Sequence, residues 1–252
     1  MIADERLWVR RGGPGGGPLV LLLHGLGHTA QVWRGLVDLL PGGWLAVDLP
    51  GHGRSPWAGE YTFDRVAADV ATVLPEDHPV RVVGHSFGGA VALALAAVRP
   101  QVDGVLGFGI KVHWTDDDLA AMRRRAARPP KSFATEDEAR AAFVRFAGLD
   151  GVAGPDTALA GSGITEVDGG YRLAADPATM AVGAPDMPAL LAGARAGAHI
   201  VLACGEHDHM VSAEQLRELD PDAVVVPGVG HNFHVTHPQR LAELIRTLGS
   251  GG

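Results

Sequence analysis

Short apolar runs recur along this chain without period-two alternation: Leu19–His24, Trp44–Leu49, Val80–Gly84, Val105–Ile110, His199–Cys204 and Ala223–Val226. A strand that is apolar on both faces must be covered on both faces, which is the situation of inner strands in a parallel sheet. The segments between these runs carry helical patterning: Gln31–Leu40, Phe63–Leu74, Phe87–Val98, Ala213–Leu219 and Pro238–Leu248. Parallel neighbours need a crossover, and helices supply it. The alternation therefore predicts an α/β fold with a doubly wound, mostly parallel sheet. A chain of 252 residues, 46% apolar, can bury such a sheet in one large domain or two small ones.

The alternation stops at Lys111 and resumes near Gly197. "TDDDLAAMRRRAA" opens with a capping box, Thr115 with Asp118, and "TEDEARAAFVRFAGL" repeats it with Thr135 and Glu138. "GITEVDGGYRL" reads as a hairpin turning at Asp168-Gly169 or Gly169-Gly170. The expected organisation is a core domain, residues 1–110 and 198–252, interrupted by a mostly helical cap or lid, residues 111–197. A helical subdomain without a gating role is the plainer alternative.

Net charge of −8 argues against nucleic acid and anionic membrane surfaces, whose partners are usually basic. One cysteine, Cys204, excludes an internal disulfide and suits a reducing compartment. The start of the chain lacks a signal peptide's apolar stretch, and no run approaches the roughly 20 apolar residues of a membrane span. A soluble, cytoplasmic protein is expected.

Gly25-Leu26-Gly27-His28-Thr29-Ala30 poses a question. It fits the G-x-G-x-x-G/A dinucleotide fingerprint, with Asp48 closing the next strand about 20 residues on. The same turn could instead aim backbone amides at a developing oxyanion. "VRVVGHSFGGAVALALAA" weighs toward the second reading, because Gly84-His85-Ser86-Phe87-Gly88 is a G-x-S-x-G set between a strand and a helix. A nucleophile raised above a sheet needs a strained, crowded turn, and the flanking glycines relieve the crowding. Ser86 would also sit at a helix N-terminus, which favours negative charge.

A serine hydroxyl needs a base. Among the 12 histidines, His231 lies in the loop "GVGHNFHVTHP" after the last strand, where Gly228 and Gly230 allow reach; His234 and His237 are competitors. The base needs an acid. Asp208 follows a strand and Gly205 in "HIVLACGEHDHMV", at the sheet edge where ligands gather, with Glu206 as the alternative. The order Ser86, Asp208, His231 is the order of α/β-hydrolases. The dinucleotide reading leaves these three residues, and the turn "PGHGRS" after Asp48, unexplained.

The set "HGLG", "DLPGHGRS", "GHSFGG", "GEHDHMV" and "GVGHNFHVTHP", spread from His24 to Pro238, resembles the α/β-hydrolase superfamily, its serine-nucleophile branch with a helical cap. The resemblance implies Ser86 as nucleophile, Asp208 as acid and His231 as base, with the backbone amides of Leu26 and Phe87 as oxyanion hole. It implies a cap after the sixth strand of the family, matching Lys111–Gly197. It also implies that the family's first antiparallel strands are short or partly missing, since about 18 residues precede Leu19. Ser86 speaks against the dehalogenase and epoxide-hydrolase branches, which use aspartate. The expected substrate is a small carboxylic ester, lactone or thioester, with C–C cleavage of a vinylogous diketone as runner-up. A non-catalytic ligand receptor and an NAD(P)-binding protein are remoter readings. No metal or organic cofactor is expected.

His24, Gly25, His85, Lys111, His113 and Trp114 are candidate substrate contacts, His24 also as a brace for its loop. Trp114, Phe133, Phe143 and Phe146 suggest an apolar acyl or ring portion in the substrate. His52 and His85 are expected to hydrogen-bond locally, Cys204 to be a core thiol, Arg123–Arg125 a solvated helix face, and Asp116–Asp118 helix N-terminal charge.

Overall fold

A computed structural model describes residues 7–248. In chain order its main elements are β1 (Val9–Gly12), β2 (Leu19–Leu23), α1 (Arg34–Val37), β3 (Trp44–Val47), α2 (Phe63–Ala71), β4 (Val80–His85), α3 (Phe87–Val98), β5 (Val102–Phe108), α4 (Asp116–Ala126), β6 (Ser132–Phe133), α5 (Glu136–Phe146), α6 (Ala158–Ser162), β7 (Ile164–Val167), β8 (Gly170–Leu173), α7 (Met187–Arg195), β9 (His199–His207), α8 (Ala213–Leu219), β10 (Val224–Gly230), α9 (Phe233–Thr236) and α10 (Pro238–Thr247). Seven strands form one sheet in the order β1-β3-β2-β4-β5-β9-β10. All its pairings are parallel except the edge pair β1–β3. Among the described residues, one strand thus stands for the antiparallel start of the sheet.

The unalternating apolar runs are explained by two cores. Leu21 and Leu23 of β2 join the cluster on the face of α2, α3 and α7, while Val20 and Leu22 join the cluster on the face of α1, α9 and α10. Burying each such leucine is worth roughly 2 kcal/mol. Strand order reverses at β2: β3 lies to one side and β4 to the other, both parallel to it. Loops leaving the carboxyl ends of β2 and β4 diverge there and open a crevice.

Several boundaries differ from expectation for local reasons. Gln31–Leu40 is a 3₁₀ turn, Ala30–Trp33, followed by the single turn of α1; Pro41 disfavours helical backbone at the residue before it. β5 ends at Phe108 rather than Ile110, because Gly109 turns the chain at φ 63.

Between β5 and β9, the stretch expected as mostly helical also carries a three-stranded sheet, β6-β8-β7. Its hairpin turns at Asp168-Gly169, with Gly169 at φ 80. A separate small core, Phe143, Val144, Ala147, Leu149 and Ala160, holds α5 and α6 together. Thr115 and Asp118 form the expected capping box on α4, whereas on α5 the Glu138 carboxylate takes the amide of Ala134 instead of Thr135. The last helix of the stretch behaves differently. Met187, Leu191 and Ala194 of α7 lie in the same core as α3, on the face of the large sheet.

Candidate active site

Ser86 stands between β4 and α3 at φ 50, ψ −115, in a region that L-residues other than glycine seldom occupy; it is the one positive-φ non-glycine among the described residues. Such backbone costs of order 1–3 kcal/mol and persists only where its surroundings dictate it. Here they do. Ser86 N donates to Phe108 O at 2.8 Å, and Ser86 O accepts from Gly89 N at 2.9 Å. A Cβ at Gly84 would press into the backbone of Gly88 and Gly89, and one at Gly88 into the backbone of Leu23 and His24. The turn therefore tolerates no side chain at either glycine.

Asp208 and His231 meet across the ends of β9 and β10. His231 Nδ1 lies 3.0 Å from each carboxylate oxygen. The Asp208 side chain is fully buried, and its Oδ1 also accepts from the amides of Met210, at 2.8 Å, and Val211. With Nδ1–H donated to the acid, Nε2 carries the lone pair. Gly109 belongs to this pair, although no motif singled it out. A Cβ there would sit 3.1 Å from the His231 ring and 3.3 Å from Asp208 Oδ2. Its one sequence signal is a glycine at the end of an apolar strand.

The competitors are engaged elsewhere. Glu206 is exposed and accepts from Gly228 N at 2.8 Å, bracing the irregular end of β10. His234 is fully buried without a hydrogen-bond partner. His237 begins α10 and contacts the Thr236 hydroxyl.

Ser86 and His231 line one cavity of about 410 Å³, together with Gly25, Leu26, His85, Phe87, Lys111 and Trp114. Asp208 sits behind His231. Two candidate contacts are not brought there. His24 lies behind its loop, where Nε2 accepts from Leu49 N and Nδ1–H donates to Gly25 O, so only its bracing role fits. His113 is exposed and does not line the cavity. Lys111 bonds Asp118 at 2.8 Å and lies over the Trp114 ring. Among the aromatics expected to meet substrate, Trp114 and Phe146 line the cavity, but Phe143 is buried in the small core and Phe133 lies on β6. Met122, Met180, His28 and Asn232 also line the cavity, brought there from separate segments.

The first glycine turn serves the site. At Gly25 a Cβ would approach His85 Nδ1 at 2.7 Å and Ser86 Cβ at 3.4 Å, so a side chain would push the loop off the nucleophile turn. Asp48 is spent within the protein: Oδ1 accepts from Ala30 N at 2.7 Å and Oδ2 from Arg54 N at 3.0 Å. It is 3% exposed and so unavailable to a ribose hydroxyl.

Five histidines around this floor are buried: His24, His28, His52, His85 and His234. Burial first, and neighbouring imidazoles after it, push His24, His85 and His234 well below the ordinary histidine range. Burial takes His28 and His52 to about 4. His52 is bonded locally as expected, to Gly27 N and Pro50 O. His85 makes no bond within its own turn; its buried ring faces the His231 backbone in a loose contact only. Cys204 is fully buried, and burial pushes its thiol up, as suits a core residue.

A mostly parallel sheet with a serine on a strained strand-to-helix turn and an Asp–His pair at the ends of its last two strands defines a class, the α/β hydrolases. The alpha/beta hydrolase family model matches residues 20–244, and the chain belongs to that family. It is 50% identical over 104 residues to lipase LipV of Mycobacterium tuberculosis, covering 40% of this chain and 39% of that one. It is 30% identical over 237 residues to the dihydrolipoyllysine-residue acetyltransferase component of an acetoin cleaving system from Cupriavidus necator, covering 86% and 59%. In both cases the match spans less than two thirds of the relative. The solved structure of an E-2-(acetamidomethylene)succinate hydrolase superposes with a TM-score of 0.75 at 28% identity, covering 97% of this chain and 95% of that one. No helix among the described residues is long and apolar enough to cross a membrane.

Proposed function

We propose that this protein is a serine hydrolase that cleaves a small carboxylic ester, lactone or thioester through an acyl-enzyme on Ser86. The observation that carries the reading is the two-point contact of His231 Nδ1 with the buried Asp208 carboxylate, at the wall of the cavity that Ser86 lines. His231 Nε2 takes the Ser86 proton as Oγ attacks the carbonyl carbon. Asp208 holds the tautomer and stabilises the imidazolium that forms. The resulting oxyanion sits between the amides of Phe87 and Leu26. Phe87 opens α3, and first-turn amides have no partner within their helix. The neighbouring amides of the other turn are spent, Gly27 N on His52 and His28 N on Gly25 O, which leaves that of Leu26 for the oxyanion. Each such donor is worth about 3 kcal/mol. His231 then returns the proton to the leaving group and activates a water that releases the acid.

Of the expected cap, residues 111–197, the part before α7 acts in this reading as a lid whose Trp114, Met122, Phe146 and Met180 receive an apolar acyl or ring portion, α7 itself packing in the main core. The scale of about 410 Å³ suits a small substrate. A fluorophosphonate probe is expected to label the wild type and not Ser86→Ala. Hydrolysis of p-nitrophenyl butyrate is expected to fall at least about 10²-fold in His231→Ala. A folded wild type that stays unlabelled, or equal rates in both proteins, overturns the assignment.

A further inference from the structure

Beside His231, and outside the chemistry assigned to it, three buried imidazoles converge. His28, His85 and His234 come from the β2 loop, the end of β4 and α9, and one nitrogen from each lies within 4.8 Å of the others. They are 3%, 1% and 0% exposed. His28 Nδ1 and both ring nitrogens of His234 have no hydrogen-bond partner, and His85 has only a loose contact with the His231 backbone. A buried polar atom left unpaired is costly, and native proteins rarely keep several together without an occupant. We propose that these histidines form a binding site for a divalent transition-metal ion of the zinc type, and that its occupation inhibits the hydrolase.

The donor set selects the ion. Three imidazoles and no carboxylate suit zinc, cobalt, nickel or copper, whereas calcium and magnesium demand oxygen. Burial keeps the rings neutral, which is the ligating form. His28 already has the bond that orients a metal-binding histidine: its Nε2–H donates to Ala147 O at 2.8 Å, which leaves the lone pair on the unpartnered Nδ1. Zinc–nitrogen bonds of 2.0–2.1 Å would draw the three nitrogens to roughly 3.3 Å from one another, and the stacked His28 and His85 rings, 5.5 Å apart and 14° from parallel, would have to turn so that their in-plane lone pairs converge on the ion. His28 and His85 line the cavity, so an ion can reach them from it, and water can supply the fourth ligand. Inhibition follows from position. The His85 and His231 rings are 4.5 Å apart, centre to centre, and a dication beside them opposes the imidazolium that His231 must become. That second half of the proposal rests on His231 being the general base.

The test uses the full chain, stripped of metal with a chelator and then titrated. Co²⁺ is expected to bind one per chain with a visible d–d spectrum of nitrogen ligation, and Zn²⁺ to displace it. His234→Gln and His28→Gln are each expected to weaken binding at least about 100-fold, since loss of an outer partner alone costs 10–100-fold. Zn²⁺ should inhibit ester hydrolysis along the same binding curve, and His234→Gln should escape inhibition with its metal-free rate retained. If one variant fails to fold by circular dichroism, the other decides. Binding that survives both substitutions overturns the site, as does no spectral change at millimolar Co²⁺. So does loss of inhibition in His209→Ala alone, which would move the ion to the His209–His231 pair, 5.4 Å apart. Failure of fluorophosphonate labelling in the metal-free protein would count against Ser86 chemistry and leave the cobalt spectrum standing.

Discussion

The floor and the roof of the cavity hold their side chains by different means. On the floor, Ser86, His231 and Asp208 hang from strand ends whose backbones are packed to contact on both sheet faces. Glycines there are squeezed between backbones. On the roof, Trp114 stands just before α4, Met122 on α4 and Phe146 at the end of α5. α4 buries none of its residues fully, and α5 rests on the small core. A few hydrogen bonds stitch roof to floor, among them Thr29 to the Ser162 hydroxyl at 2.6 Å and Asn232 Nδ2–H to Gly148 O at 2.8 Å. The contrast teaches where accuracy is needed. In the proposed chemistry, proton transfer requires fixed atoms, and Ser86, His231 and Asp208 stand where the fold yields least. Accommodating the proposed apolar group would require only adaptable surface, and methionines and aromatics supply it.

Acid should strike the floor first, with the largest effect. His24, His28, His52, His85 and His234 titrate lower in the folded protein than in the unfolded chain. The unfolded chain therefore takes up protons first. The stability is complete above about pH 6.5 and drains away as pH falls toward about 4, where His28 and His52 titrate in place. Each histidine costs about 1.4 kcal/mol per pH unit in that window. Asp48, pushed up by burial, opposes this. Urea unfolding of metal-free protein at pH 7.5 and 5.5 checks it; equal midpoints would mean that the floor histidines are not held neutral.

A pair of glycines sharpens the contrast on a smaller scale. Gly84→Ala on the floor forces a methyl group against the backbone of α3 and should cost about 3 kcal/mol or more. Gly148→Ala on the roof meets nothing within 4 Å and pays only for φ 64, about 1 kcal/mol. Denaturation midpoints of the two variants decide the matter. If Gly148→Ala were the costlier, the roof would be the rigid half.

How much of this could be read in the letters varies by element. β2, β4, α3 and α8 were legible, because apolar period and glycine spacing are local properties. Strand ends were less so: Phe108 rather than Ile110 closes β5, since one glycine's backbone angle overrides the apolar pattern. The two-residue β6 carries too few side chains to show a period.

Local patterning thus determined which segments are strands and helices and which residue types could share a reaction. Folding decided the rest. It placed α7 against α3, spent Asp48 on its own loop, left His113 in solvent and gathered His28, His85 and His234 from three distant segments. The physical reason is that burial preference is written residue by residue, whereas proximity depends on strand order and register, which arise only when all the strands pair at once.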